Sequence, residues 1–107
     1  WKLGMQIVRL IYRLTKKFPS EERFSLVSQM QRAAVSIPTN IAEGFARRYT
    51  KEYRRFCFIA LGSCSELETL ALISLEQEYV AKEDYLNLEK MLDSESKMLM
   101  SLAKKLN

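Results

Sequence analysis

The side chains of this sequence that could do chemistry fall into two groups. One is a pair of thiols, Cys57 and Cys64, and the other is Asn40 with Glu43, just after Pro38. A thiol needs a neighbouring base to act as a nucleophile, and the chain contains no histidine. The cysteines are seven positions apart, about 10 Å along a helix, which is too far for an intrachain disulfide. We interpret both as reduced, buried, small hydrophobic residues.

The stretch around Pro38 is poorly equipped for catalysis. The sequence AAVSIPTNIAEGFARR, residues 33–48, contains one carboxylate and no nucleophile with a base beside it. A di-metal carboxylate bundle would need Glu-x-x-His pairs, which a chain without histidine cannot supply. We therefore expect no enzyme: no catalytic residue, no cofactor, no bound metal and no small-molecule substrate.

A basic cluster is the strongest binding signal in the chain. The segment FARRYTKEYRRF holds one acidic residue, Glu52, and five basic residues: Arg47, Arg48, Lys51, Arg54 and Arg55. If a helix starts at Thr50 as its N-cap, the last three share an arc of about 100°. Guanidinium groups beside tyrosines suit phosphates and unstacked bases. The alternative interpretation is a solvated face, or weak ion pairs with acidic residues elsewhere.

The two halves of the chain carry opposite charge. Residues 1–55 hold 12 Lys and Arg against 4 Asp and Glu, a balance of +8, whereas residues 56–107 hold 5 against 9, a balance of −4. This asymmetry predicts a basic surface that binds nucleic acid. The alternative is that the basic surface binds an acidic partner protein and that the chain is a protein-interaction scaffold. It also permits head-to-tail contacts between copies of the chain.

The cellular location follows from what the sequence lacks. No apolar run approaches the roughly 18 residues that span a membrane, and no secretory signal is visible. Reduced cysteines fit a cytoplasmic protein. We expect a cytoplasmic location and no membrane contact.

The elements that position these residues are predicted to be four helices in a single all-α domain, residues 1–107. Apolar residues recur at spacings of three and four over about 1–17, 20–46, 50–77 and 83–105. Short connections make consecutive helices antiparallel neighbours, so we predict an up-down-up-down four-helix bundle. The polar run at 93–97 interrupts the apolar seam of the fourth helix, whose middle we expect to be partly exposed.

The second predicted helix contains Pro38, which costs about 3 kcal/mol in a helix interior. Core packing of apolar neighbours can offset this cost. These neighbours are Ile37, Ile41 and Phe45. We predict a continuous helix kinked at Pro38. The alternative is a split helix, with Asn40 and Glu43 at capping-box spacing at the start of its second part.

The third predicted helix is apolar on more than one face. Four large apolar residues lie outside its core stripe: Phe58, Ile59, Leu72 and Ile73. A helix that is apolar nearly all round must be covered nearly all round, and a second copy of the chain is the simplest cover. Small residues at Gly62, Ser63 and Ser65 would let a neighbouring helix approach. The alternative is that these apolar residues are single exposed side chains.

The sequence also resembles a known family. The stretches FPSEERFSLVSQMQRAAVSIPTNIAEGFARR and KEYRRFCFIALGSCSELETL are similar to small bacterial four-helix bundle proteins encoded in intervening sequences of 23S ribosomal RNA genes. The segments AAVSIPTNIAEG and ALGSCSELET look like the two signatures of that family. Trp1 matches a tryptophan that usually stands a few residues in from the start, so we expect a trimmed N-terminus.

The resemblance implies a homo-oligomeric bundle, typically a pentameric ring, and no established enzymatic activity. It also points to nucleic-acid binding, by analogy with accessory variability proteins of diversity-generating retroelements, basic pentameric bundles that work with a reverse transcriptase and its RNA. Four polar residues fall on signature positions: Asn40, Glu43, Glu66 and Glu68. We expect them to form buried polar bonds within or between subunits, so that mutation of Glu66 unfolds or disassembles the protein.

Overall fold

A computed structural model describes all 107 residues and contains four α-helices and no strand. α1 spans Lys2–Thr15, α2 spans Leu26–Phe45, α3 spans Thr50–Glu76 and α4 spans Lys82–Lys105. A 3-10 turn, Ser20–Glu22, lies between α1 and α2. The all-α prediction is confirmed.

The helices pack as a closed square in which α1 contacts α2, α2 contacts α3, α3 contacts α4, and α4 returns to α1. Consecutive helices run antiparallel: Gln31 of α2 bonds Thr15 at the end of α1, while Pro38, further along α2, lies against Gly4 at its start. The predicted up-down-up-down bundle is therefore confirmed. Its core runs along the axis, and its fully buried aliphatic side chains include Ile7, Ile11, Met30, Ile37, Leu67, Leu88 and Leu92.

Two predicted helix starts are wrong. The second helix begins at Leu26 rather than near Ser20, because the residues after Pro19 close a 3-10 turn in which the amide of Arg23 donates to the carbonyl of Ser20. Ser25, with φ −124° and ψ −94°, then separates this turn from α2. At the third helix, Thr50 is the first helical residue, and the N-cap is Tyr49, whose side chain makes no capping bond.

α2 runs through Pro38 without a break, which favours the continuous helix over the split one. The proline ring is buried against α1, where it packs tightly on Gly4: a Cβ on Gly4 would lie 3.3 Å from the Pro38 Cβ. Ile37 and Ile41 are buried as predicted, but Phe45 is 73% exposed. Phe45 lies two turns beyond Pro38 on the same side of α2, and α1, which begins at Lys2, does not reach it.

The middle of α4 is partly exposed, as predicted, but its apolar seam is not interrupted. Asp93, Ser94 and Lys97 do face solvent, but Glu95 is only 1% exposed and takes a core position. It continues the buried seam of Leu88, Leu92 and Leu99. The polar run therefore does not interrupt the seam; a carboxyl group is built into it.

α3 is long and apolar enough, by length and composition, to cross a membrane, so the expectation that no stretch reaches this length is wrong. The inner residues of α3 form part of the bundle core, and core helices commonly have this composition. Only 39% of its most apolar stretch is buried inside the fold. The unburied residues of that stretch include four large apolar side chains that the four helices of one chain do not cover, Phe58, Ile59, Leu72 and Ile73, and also polar ones such as Ser65, Glu66 and Glu68.

Candidate nucleic-acid interface

The two thiols are buried in the core, as predicted from the sequence. Burial raises the pKa of Cys57 and raises the pKa of Cys64 to about 11. Both thiols are therefore protonated at neutral pH and are not thiolate nucleophiles. No group of three or more Cys, Asp and Glu side chains is placed to hold a metal ion.

Asn40 has a structural role beside Pro38. Its side-chain Nδ2 donates to the carbonyl oxygen of Ser36 at 2.7 Å and to the Ser36 hydroxyl at 2.8 Å. The Ser63 hydroxyl of α3 donates to the same Ser36 hydroxyl at 2.7 Å. This network joins α2 to α3, so Ser63 faces α2 and not a neighbouring subunit, contrary to its placement among the outward small residues. Asn40 caps no helix, because α2 is continuous here.

The other three signature residues are exposed in the single chain. Glu43 pairs only with Arg47, at 3.6 Å, while Glu66 and Glu68 make no ion pair. The prediction that these three carboxylates form buried bonds within the subunit is therefore wrong. That they form bonds between subunits stays a prediction. The carboxyl that is buried is Glu95, whose Oε2 has no hydrogen-bond partner. Burial raises its pKa.

The five predicted cations lie together where α2 ends and α3 begins. We call this region, residues 45–55, the basic end. Arg47 and Arg48 lie in the connection after α2, and Lys51, Arg54 and Arg55 lie in the first turns of α3. Arg47 alone has a carboxylate within 4.0 Å, so the other four cations are not neutralised by ion pairs.

The arginines lie over aromatic rings. The guanidinium carbon of Arg54 is 4.9 Å from the centroid of the Phe58 ring, and those of Arg47 and Arg55 are 4.8 and 5.7 Å from the Phe56 ring. Such contacts hold a guanidinium in place without cancelling its charge. They also offset the unfavourable effect of cations near a helix N-terminus. The side chain of Arg54 makes no ion pair, and its Nε is buried without a hydrogen-bond acceptor.

Tyrosines contribute less to these stacks than the sequence predicts. Arg48 lies 5.7 Å from the Tyr49 ring, but Tyr53 contacts Phe45 edge-on, with centroids 6.1 Å apart. Three of the arginines lie over phenylalanine rings of α3 instead. Their role could have been suspected from the sequence, because Arg54 precedes Phe58 by four positions, which places the two on one side of a helix.

Gly44 sets the spacing of the two helices at the basic end. A Cβ added to Gly44 would lie 2.8 Å from the Phe56 Cβ and 2.9 Å from Cδ1 of Tyr53. Contacts this short do not occur in real structures without displacement of a neighbour. The glycine therefore lets α2 approach α3 closely enough for Arg47 to reach the Phe56 ring.

The outer face of α3 carries the four predicted interface residues: Phe58, Ile59, Leu72 and Ile73. Each is 38–44% exposed. Gly62 lies between them along the helix, and a Cβ at this position would meet nothing within 4 Å. The structure thus places these side chains on the surface of the single chain, where another subunit could cover them.

The fold and this surface define a class of protein: a small antiparallel four-helix bundle with a cationic end and an apolar outer helix face. The chain belongs to the 23S rRNA-intervening sequence protein family, whose family model matches residues 1–101. The resemblance noted in the sequence is confirmed. No curated protein matches the chain.

The fold is also similar to a solved structure, the crystal structure of a protein with unknown function from the S23 ribosomal protein family of Bacteroides thetaiotaomicron. The TM-score is 0.88 and the sequence identity 24%, over 96% of this chain and 93% of that one. The likeness shows a shared four-helix bundle. Neither that description nor the family description names an enzymatic activity.

Proposed function

We infer that this protein is a non-enzymatic, homo-oligomeric bundle that binds RNA or DNA through its basic end. The observation that carries this inference is the set of cations at the basic end, of which only Arg47 has a carboxylate partner. An arginine held by a ring keeps its N–H donors and its charge available to phosphate oxygens.

The outer face of α3 supports the oligomeric part of the proposal. Its four large apolar side chains remain in contact with water in the single chain, and burial of such side chains stabilises association. The family resemblance favours five copies in a ring. Several basic ends on one assembly would bind one nucleic-acid strand more tightly than a single basic end can.

A matched pair of double variants tests the nucleic-acid proposal. Arg48→Gln with Arg55→Gln removes two exposed, unpaired cations of the basic end. Arg13→Gln with Arg23→Gln removes two exposed arginines near the other end of the bundle. We expect only the first variant to weaken binding, and to flatten the slope of log affinity against log salt by about 1.4 on single-stranded RNA. Equal losses in both variants would contradict the proposal.

Light scattering on the same preparations tests the oligomer. We expect a mass several times that of one chain, both with and without RNA, because the apolar face of α3 does not depend on a ligand. A single chain at micromolar concentration would contradict the oligomeric part. Capture of an acidic protein that is insensitive to nuclease, without RNA binding, would favour the scaffold alternative instead.

A further inference from the structure

Two large aromatic side chains at the basic end have no role in the core. Tyr49 is 61% exposed and Phe45 is 73% exposed. The Tyr49 hydroxyl makes no hydrogen bond within the chain, and Arg48 is the one charged group in contact with its ring. Exposure of this much ring surface to water is unfavourable. The contact of Phe45 with Tyr53 and that of Tyr49 with Arg48 leave most of both rings exposed, so core burial does not account for aromatic residues at these two positions.

The cations of the basic end flank these rings along the chain. Arg48 precedes Tyr49 directly, and Lys51 follows it by two positions, at the start of α3. Lys51 and Arg48 are both exposed and neither has a carboxylate partner. Two positive charges thus neighbour Tyr49 in the chain, where they can hold the phosphates of a strand whose base lies on the ring.

An unpaired base joined to its phosphates is a ligand of this shape and charge. Aromatic rings bind single strands by stacking on bases, and cations beside the rings hold the backbone. A duplex cannot use such rings, because its bases are already stacked inside the helix. Exposed rings next to unneutralised cations therefore distinguish a single strand from a duplex.

We propose that the basic end binds single-stranded nucleic acid, with unpaired bases stacked on Tyr49 and Phe45 and the adjoining phosphates held by Arg48, Lys51 and Arg55. This rests on the proposed nucleic-acid binding and specifies which form of nucleic acid is bound. Stacking on a ring is tolerant of base identity. The strand is therefore recognised by its lack of pairing and not by its sequence.

The test measures binding of a fluorescein-labelled RNA of about 12 nucleotides, as a single strand and as a duplex, by fluorescence anisotropy on the full protein. Tyr49→Ala removes the ring, and Tyr49→Phe keeps it. Tyr12→Ala is the matched control, because Tyr12 is an exposed tyrosine of α1 away from the basic end. Circular dichroism and light scattering verify that each variant keeps its fold and mass.

We expect wild-type protein to bind the single strand more tightly than the duplex. Tyr49→Ala should weaken single-strand binding about 5- to 150-fold without changing the salt slope, because no charge is lost. Tyr49→Phe and Tyr12→Ala should bind as wild type. Phe45→Ala should weaken single-strand binding in the same way as Tyr49→Ala.

Four results would overturn the proposal. In the first two, Tyr49→Ala leaves single-strand binding unchanged, or weakens single-strand and duplex binding equally; in both cases the arginine variants can still lower the salt slope, and nucleic-acid binding itself stands. A fall in assembly mass in Tyr49→Ala would assign the ring to a subunit contact. Absence of binding to either form of RNA at low salt would remove the proposed function as well.

Discussion

At the end of the bundle that holds the α3–α4 connection, the Phe18 ring is 8% exposed and packs on Tyr79, with centroids 5.2 Å apart. The Tyr79 hydroxyl donates to Glu22 at 3.0 Å, and the Ser25 hydroxyl donates to the same carboxylate at 2.7 Å. We call this the closed end. At the basic end, aromatic rings are exposed and most cations have no counter-charge. At the closed end the Phe18, Tyr79 and Glu22 side chains are satisfied within the chain, although the neighbouring Phe24 is 88% exposed with Arg23 over its ring. At the basic end, the cations of residues 48–55 have no carboxylate partner.

The largest expected effect separates the aromatic residues of the two ends. Phe18→Ala removes a buried ring and should lower the free energy of unfolding by about 3–5 kcal/mol. Phe45→Ala removes an exposed ring and should change it by no more than about 0.5 kcal/mol. Urea denaturation of both variants measures this. Similar losses would show that Phe45 packs against protein in solution, and the contrast between the ends would fail.

The next effect concerns how closely the helices approach at the basic end. Gly44→Ala introduces contacts below 3.0 Å with Phe56 and Tyr53, so overpacking should outweigh the gain in helix propensity and lower stability by about 1–2 kcal/mol. RNA binding should fall too, because displacement of Phe56 disturbs the arginines above it.

Gly62→Ala is the control for this substitution, since its Cβ enters open space on α3. Within a single chain it should raise stability by about 0.5–1 kcal/mol through helix propensity, and a loss instead would indicate that another subunit packs against Gly62. Thermal denaturation of both glycine variants measures the difference. A higher melting temperature in both glycine variants would show that α2 and α3 are not in close contact at Gly44.

The smallest effect is a pH dependence at the closed end. Hydrogen bonds from Ser25 and Tyr79 lower the pKa of Glu22 below its ordinary value of 4.5. Because the folded pKa is depressed, this stabilisation is complete above pH 4.5 and is lost as the pH falls through the folded pKa. Glu22→Gln should therefore lower the melting temperature near neutral pH and match wild type in acid. If Glu22→Gln still melts at a lower temperature than wild type at low pH, the ionised carboxylate of Glu22 is not the source of the stabilisation.

The sequence predicts the helices and the position of the cations well, because both follow from periodicity and local charge. α3 starts at Thr50 and ends at Glu76, close to its predicted bounds. The predictions that failed concern contacts between helices. Burial of Glu95 contradicts the rule that charged residues face water, and only the neighbouring helices reveal it. Likewise, the spacing that excludes a Cβ at Gly44 depends on the position of α3.

The exposure of Phe45 could not be predicted for a related reason. Its helical spacing matches the core stripe that includes Ile37 and Ile41, and exposure depends on where α1 begins relative to α2. The ring contacts of the arginines are made by Phe56 and Phe58, whose rings also belong to the apolar pattern of α3 and so do not stand out as partners of a cation. A pattern of side chains along one helix cannot show which neighbouring element covers them.

The carboxyl of Glu95 ties the folding of this bundle to protons. Its pKa in the folded chain lies above the ordinary 4.5 because burial disfavours the charged form. At a pH between those two values, a chain that folds takes up a fraction of a proton, at most one, from its buffer at this site. The heat measured for folding then includes the ionisation heat of the buffer, so calorimetry in two buffers of different ionisation enthalpy would count that proton directly.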